Sequence, residues 1–111
     1  MSRRSGWPMP SVERLYERPL KRPLDGKLRD AIDVLVARKR HELPVATEFE
    51  WHATDPVFTI RSALLSFIVS FAPERLTVDA RLSLAARIIA TDANRKQAVR
   101  FFETISEELD L

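Results

Sequence analysis

Hydrophobic residues recur at helical spacing over the stretch that follows Asp25-Gly26. They fall at intervals of three and four residues, which is the pattern of a helix with one buried side. These positions are Leu28, Ala31, Ile32, Leu35 and Val36. Asp25 can cap the first turn, and Pro44 cannot continue a helix. The spacing therefore predicts a helix over 27–42.

After Pro44 the hydrophobic period changes from about 3.6 to 2. Phe49 and Trp51 alternate with polar neighbours, and residues 57–62 and 64–71 are rich in β-branched and aromatic side chains. The cleanest alternation runs over 76–84, and 72–75 has the composition of a hairpin loop. These segments predict an antiparallel meander of three or four strands.

A second helix is predicted near the end of the sequence. Thr91 or Asp92 can cap it. Its apolar residues form one stripe, made of Ala98, Phe101, Phe102, Ile105 and Leu109. The fold class predicted is therefore α+β, an antiparallel meander flanked by an N-terminal and a C-terminal helix.

An all-α bundle is the alternative. Asp55-Pro56 could begin a helix, and the apolar residues of 55–71 also fit a helical stripe. The run 84–90 contains good helix formers as well. The alternation over 76–84 favours α+β, because a helix there would scatter its apolar residues around the cylinder.

Residues 1–24 have a different composition from the rest of the chain. Prolines at 8, 10, 19 and 23 disfavour regular helix. Six basic and two acidic residues give this segment a net charge of +4, which leaves −2 for the remainder of a chain whose total is +2. We predict a basic, Pro-rich arm over 1–24, flexible or docking, with room for a short helical turn over 11–18, and a single globular domain over 25–111.

The arm contains the candidate partner-binding residues. Trp7, Leu15 and Tyr16 are apolar enough to dock on another surface, and Arg14 and Arg18 could contact acidic groups. Trp7 and Tyr16 could also stack on bases, which makes nucleic-acid binding through the arm an alternative. The rest of the chain shows no continuous basic face and no nucleic-acid-binding motif, so a protein partner is the first hypothesis.

The sequence lacks the residues on which several classes of chemistry depend. It contains no cysteine, and its two glycines, Gly6 and Gly26, cannot form a glycine-rich phosphate loop. His41 and His52 belong to different elements, and Glu48 and Glu50 fit the solvated face of a strand. We therefore expect no catalytic residue, no metal and no cofactor, and hence a non-enzymatic protein. The lack of cysteine favours a cytoplasmic location, and no apolar run reaches the roughly 20 residues of a membrane span.

The order of segments over 27–109 resembles the bacterial polyhydroxyalkanoic acid system proteins, which are associated with storage granules. The likeness consists of the alternating strand 75–84, an Ala/Arg-containing apolar junction at 85–90, the terminal amphipathic helix, and Trp51 before a strand. It implies an accessory role at a granule and supplies no catalytic residues, and the arm departs from that family. The apolar content of 57–71 exceeds what one small face needs, so a homodimer is also expected.

Overall fold

The computed structural model describes residues 11–43, 47–83, 86 and 91–111. The elements, in chain order, are β1 (Ser11–Pro19), α1 (Gly26–Lys39), a 3-10 turn (Arg40–Glu42), β2 (Glu48–Trp51), β3 (Val57–Arg61), β4 (Leu65–Ala72), β5 (Arg75–Leu82) and α2 (Asp92–Glu108). The predicted α+β class is confirmed, and the all-α alternative is wrong.

The five strands form one antiparallel sheet in the order β1-β5-β4-β3-β2. Strands β2 to β5 are a meander, as predicted, in which each strand pairs with the next one in the sequence. Ala72 pairs with Arg75 across the two-residue turn that joins β4 to β5. The first strand, β1, pairs with the last strand, β5, so the sheet joins two segments that are far apart in the sequence.

Both helices begin at the predicted caps. The Asp25 carboxylate accepts a hydrogen bond from the Leu28 N–H at 2.8 Å, and the Thr91 hydroxyl accepts one from the Asn94 N–H at 3.1 Å. Each bond satisfies one of the N–H groups that have no partner in the first turn of a helix. Helix α1 ends slightly before the predicted boundary, because residues 40–42 tighten into a 3-10 turn.

The core lies between the two helices and one face of the sheet. Helix α1 buries Leu28, Ile32, Leu35 and Val36, and α2 buries its whole predicted stripe except Leu109, which is half-buried. The sheet contributes the alternate positions of β3, β4 and β5, such as Ile60 and Val78, which are fully buried. Because both helices pack on the same face of the sheet, the opposite face is not covered by any of the elements described.

A side-chain hydrogen bond fixes the short strand β2 against α1. The indole N–H of Trp51 donates to the Asp33 carboxylate at 2.7 Å, and the Arg29 guanidinium lies 4.8 Å from the centre of the Trp51 ring. Trp51 also packs against Phe58 of β3, with 4.8 Å between the ring centres. The aromatic residue therefore joins the first helix to the edge of the sheet.

The structure differs from the predicted division of the chain at residue 24. Residues 11–19 form an integral strand of the sheet, so the predicted helical turn over 11–18 is wrong. A register shift between Arg14 and Tyr16 places Leu15 outside the regular pairing. Such a bulge moves the next side chains to the other face, so apolar residues of β1 do not alternate along the sequence. The first ten residues of the predicted arm lie outside the described residues, as does most of the predicted junction at 85–90.

Candidate functional site

Two of the three apolar residues predicted to dock on a partner, Leu15 and Tyr16, pack within the domain instead. Leu15 and Tyr16 are half-buried and pack against the hydrophobic core, and Leu20, just after β1, does the same. Tyr16 lies opposite Val78 of β5 in the strand pairing. Trp7 lies outside the described residues. The structure therefore brings Leu15 and Tyr16 together, but on the core side of β1.

The two arginines predicted to bind a partner also have partners within the domain. Arg14 forms an ion pair with Asp79 across the β1–β5 pairing, and its guanidinium also lies 3.3 Å from the Glu17 carboxylate. The hydrogen bond to Asp79 is the main cause of a raised Arg14 pKa. Arg18 donates to the Tyr16 hydroxyl at 3.4 Å. These contacts fix the orientation of β1 in the sheet.

Two further ion pairs hold β1 from either side of the sheet. On one side, Arg75 of β5 donates to Glu17 at 2.9 Å, which lowers the pKa of that carboxyl group. On the other side, Arg95 of α2 donates to both carboxylate oxygens of Glu13, at 3.0 and 3.1 Å. The bidentate geometry fixes direction as well as distance. Side chains of β1 therefore form ion pairs with both the neighbouring strand β5 and the helix α2.

The uncovered side of the sheet, which we call the open face, is the first candidate binding surface. Each strand contributes alternate residues to it. They are Val12, Arg14, Glu17 and Pro19 of β1, Glu48 and Glu50 of β2, Val57, Thr59 and Arg61 of β3, Ser66, Ile68 and Ser70 of β4, and Arg75, Thr77, Asp79 and Arg81 of β5. Its centre is made of short hydroxyl and aliphatic side chains that are half-buried, including Thr59, Ile68 and Thr77. Asp79 lies directly opposite Ile68 in the pairing of β4 with β5, so a carboxylate borders this centre.

Charges frame the open face in balanced numbers. Its arginines are Arg14, Arg61, Arg75 and Arg81, and its carboxylates are Glu17, Glu48, Glu50 and Asp79. Several of them pair with one another, as Arg61 does with Glu50 on the neighbouring strand. The predicted exposure of Glu48 and Glu50 on one face of β2 is confirmed. The open face therefore has no excess of either sign.

A second candidate site lies inside the domain, between the sheet and α2. It is a cavity of about 20 Å³ whose wall is formed by apolar side chains from α1, β3, β4, β5 and α2, together with Leu111. Ser106 is the one polar side chain among the lining residues. Its residue is 1% exposed, and its hydroxyl oxygen has no hydrogen-bond partner.

Sequence reasoning missed Ser106, although a signal was present. Ser106 follows Ile105 and lies four residues after Phe102, so it falls on the apolar stripe of α2. It stands next to Glu107 and Glu108, which makes the local sequence look like a solvated helix end. A hydroxyl residue at a stripe position is the feature that could have identified it.

The other residues considered for chemistry lie on the surface and apart from one another. His52 accepts hydrogen bonds from the Thr54 and Asp55 N–H groups through its Nδ1 atom, at 3.2 and 3.0 Å, and so shapes the β2–β3 turn. His41 is exposed in the 3-10 turn. Within the described ranges, no group of three or more His, Asp or Glu residues could hold a metal ion.

Comparison with protein-family models, with curated proteins and with solved structures finds no match for this chain. Among the described residues, neither helix has the length and apolar character needed to cross a membrane. The residues and their geometry are therefore the basis of the functional argument.

Proposed function

We propose that this protein is a non-enzymatic accessory domain that binds a protein partner through the open face of its sheet. The main observation that supports this proposal is the amino-acid composition of the open face. A half-buried centre of small side chains, surrounded by charges of both signs, can make close contact with another protein, with apolar contacts in the middle and polar ones at the rim. A second copy of the chain is one such partner, in line with the expected homodimer.

The balance of charges on the open face favours a protein over a nucleic acid. Affinity for nucleic acid depends mainly on cations that meet phosphates, and this face contains as many carboxylates as arginines. Arg14, one of the predicted partner-binding residues, is already paired with Asp79. The alternative remains testable by gel shift at low salt. Tight binding that weakens steeply as salt is raised would support nucleic acid and contradict our proposal.

Lysine substitutions at two aliphatic positions test the role of the open face. Ile68→Lys puts a charge at the centre of the face, whereas Val34→Lys is the control, because Val34 is 58% exposed on the outer side of α1. We expect Ile68→Lys to lose at least tenfold in affinity for the partner, or for itself, while Val34→Lys retains it. The measurements are light scattering after size exclusion over a range of concentrations, and quantitative affinity purification, with circular dichroism to verify folding.

The same experiment can contradict the proposal. If folded Ile68→Lys protein retains the same mass and the same partners as Val34→Lys and the original chain, the open face is not the binding surface. Equal losses in the two lysine variants would also exclude it, because they would indicate a general effect of added charge.

A location in the cytoplasm, at storage granules, is proposed from the lack of cysteine and the resemblance to the granule-associated family. Co-sedimentation of the purified protein with polyester particles tests the granule part directly. We expect recovery with the particles, reduced by Ile68→Lys and unaffected by Val34→Lys. Recovery of all three proteins in the supernatant would contradict a direct attachment to the granule.

A further inference from the structure

The sheet ends on each side in a strand with one free edge, and the two edges differ in length. Strand β2 has four residues and β1 has nine, and β1 has β5 as its one neighbour in the sheet. The backbone groups on the other side of β1, which we call the β1 edge, are not paired with any described strand. Such an edge can add a further strand by backbone hydrogen bonding.

The charged residues of β1 are arranged so that the strand complements a reversed copy of itself. Residues 13–18 read Glu-Arg-Leu-Tyr-Glu-Arg. An antiparallel pair of two such strands can be centred between Leu15 and Tyr16. The four charged residues then lie opposite residues of the other sign in the second copy, Glu13 with Arg18 and Arg14 with Glu17. Opposite charges directly across a strand pair stabilise the pairing.

The bulge in β1 makes this register compatible with the two faces of the sheet. Residues directly opposite each other in an antiparallel pair point to the same face. In a regular strand, Glu13 and Arg18 would point to opposite faces, because they are an odd number of positions apart. Since the register shifts between Arg14 and Tyr16, both Glu13 and Arg18 pair with buried residues of β5, whereas Arg14 and Glu17 lie on the open face.

A shift of one residue in either direction is unfavourable. It would place Glu13 opposite Glu17, or Arg14 opposite Arg18, so like charges would meet. It would also bring residues of the open face opposite residues of the core side. Charged residues and proline on an edge discourage pairing with other strands. On β1 the order of the charges leaves one of these three registers favourable.

Arg18 is the charged residue whose surroundings this pairing would change most. Glu13, Arg14 and Glu17 already form ion pairs within the chain. Among the described residues, Arg18 has no carboxylate partner. Its guanidinium donates to the Tyr16 hydroxyl at 3.4 Å, and its Nε atom is buried without a hydrogen-bond partner. Glu13 of a second copy would supply the anion.

We propose that two copies of this chain pair through their β1 edges, antiparallel and centred between Leu15 and Tyr16, so that their two sheets become one. Because paired residues share a face, the open faces of the two copies then lie side by side. The paired segment is short, so the dimer is weak and depends on protein concentration. The pairing uses the backbone of β1 and does not require the open face to bind a partner.

Charge reversal followed by mixing tests the pairing. Arg18→Glu brings like charges together in the dimer, and so does Glu13→Arg, so we expect each variant alone to dimerise about tenfold more weakly than the original chain. In an equimolar mixture every Glu meets an Arg, and dimerisation should return. Lys27→Glu, at an exposed position of α1, makes the same change in charge as Arg18→Glu and is the control. Sedimentation equilibrium measures the association, and circular dichroism verifies folding.

Amide hydrogen exchange in the original chain provides a second measurement that needs no variant. The N–H groups of residues 13–18 that point away from β5 should exchange more slowly as the protein concentration rises. Residues 48–51, at the other edge of the sheet, are the internal control and should exchange at a constant rate.

Several outcomes would overturn the proposal. One is an equimolar mixture that dimerises no better than either variant alone. Another is exchange at the β1 edge that does not depend on concentration, and a third is a loss in Lys27→Glu equal to that in Arg18→Glu. Ile68→Lys leaves the β1 edge intact. A dimer lost in Ile68→Lys but retained in Arg18→Glu would therefore contradict this pairing and support self-association through the open face instead.

Discussion

Arg75 and Glu17 show how a single surface pair orders the edge of the sheet. Arg75 is the first residue of β5, and its guanidinium donates a hydrogen bond to the carboxylate of Glu17 on β1. The same carboxylate lies 3.3 Å from the Arg14 guanidinium. The Glu17 carboxylate thus has two positively charged neighbours, so its charged form is favoured in the folded protein. Exposed pairs of this kind contribute little to stability singly, but they can fix the direction of a side chain.

The pKa of Glu17 provides a prediction at this scale. It lies below its ordinary value, because of the hydrogen bond from Arg75 and then the charge of that group. Stabilisation from Glu17 is therefore complete above the unfolded-state pKa and is lost as the pH falls through the lower folded-state pKa. In Arg75→Gln we expect the Glu17 pKa, measured by NMR titration of its carboxyl carbon, to rise. Arg81→Gln, on the same strand, should leave it unchanged, and an unchanged pKa in Arg75→Gln would contradict the assigned cause.

Strand β1 is the element that the sequence least allows one to predict. Burial alternates along β2 to β5, and the hydrophobic residues follow it except at Val57 and Ile68, so these strands could be predicted from the pattern even though 55–71 also fits a helical stripe. In β1 the bulge near Leu15 makes residues 12, 15 and 16 look like part of a helix, and Pro19 and the basic residues look like a linker. The pairing of β1 with β5 is also a long-range contact, and no local signal specifies it.

Truncation at two positions tests whether β1 belongs to the domain. Removing residues 1–19 deletes the strand, and we expect the remaining chain to lose its cooperative unfolding transition, because β5 would lose its partner and part of the core would become exposed. A chain that begins at Ser11 retains β1 and is the control. The measurement is urea unfolding followed by circular dichroism. Equal free energies of unfolding for the two chains would indicate that β1 is dispensable.

The candidate sites were predictable to very different degrees. Alternation along β2 to β5 specifies which side chains share a face, so the composition of the open face can be derived once the strands are known. That this face stays uncovered depends on where α1 and α2 pack, which the sequence does not state. The cavity depends on how side chains from five elements and Leu111 fit together, and such a fit has no sequence pattern.

At the scale of the whole molecule, stability depends on one continuous core between the helices and the sheet. Ile60 is 0% exposed and lines the interior cavity, whereas Val34 is 58% exposed. We expect Ile60→Ala to lower the free energy of unfolding by about 2–5 kcal/mol and Val34→Ala to change it by less than about 0.5 kcal/mol. Urea unfolding measures both. A similar small change in the two variants would show that the core is not organised around β3.

The pairing of the first strand with the last has a consequence during protein synthesis. Arg14 and Asp79, which meet across that pairing, are 65 residues apart in the chain. At ribosomal rates of about 5–20 residues per second, β1 leaves the ribosome roughly 3–13 seconds before β5 can pair with it. During this interval β1 is unpaired and accessible to other chains, and its charged residues and Pro19 are features that discourage strands from aggregating. The residues that make β1 hard to predict from the sequence are therefore also ones expected to lower its tendency to aggregate before β5 is made.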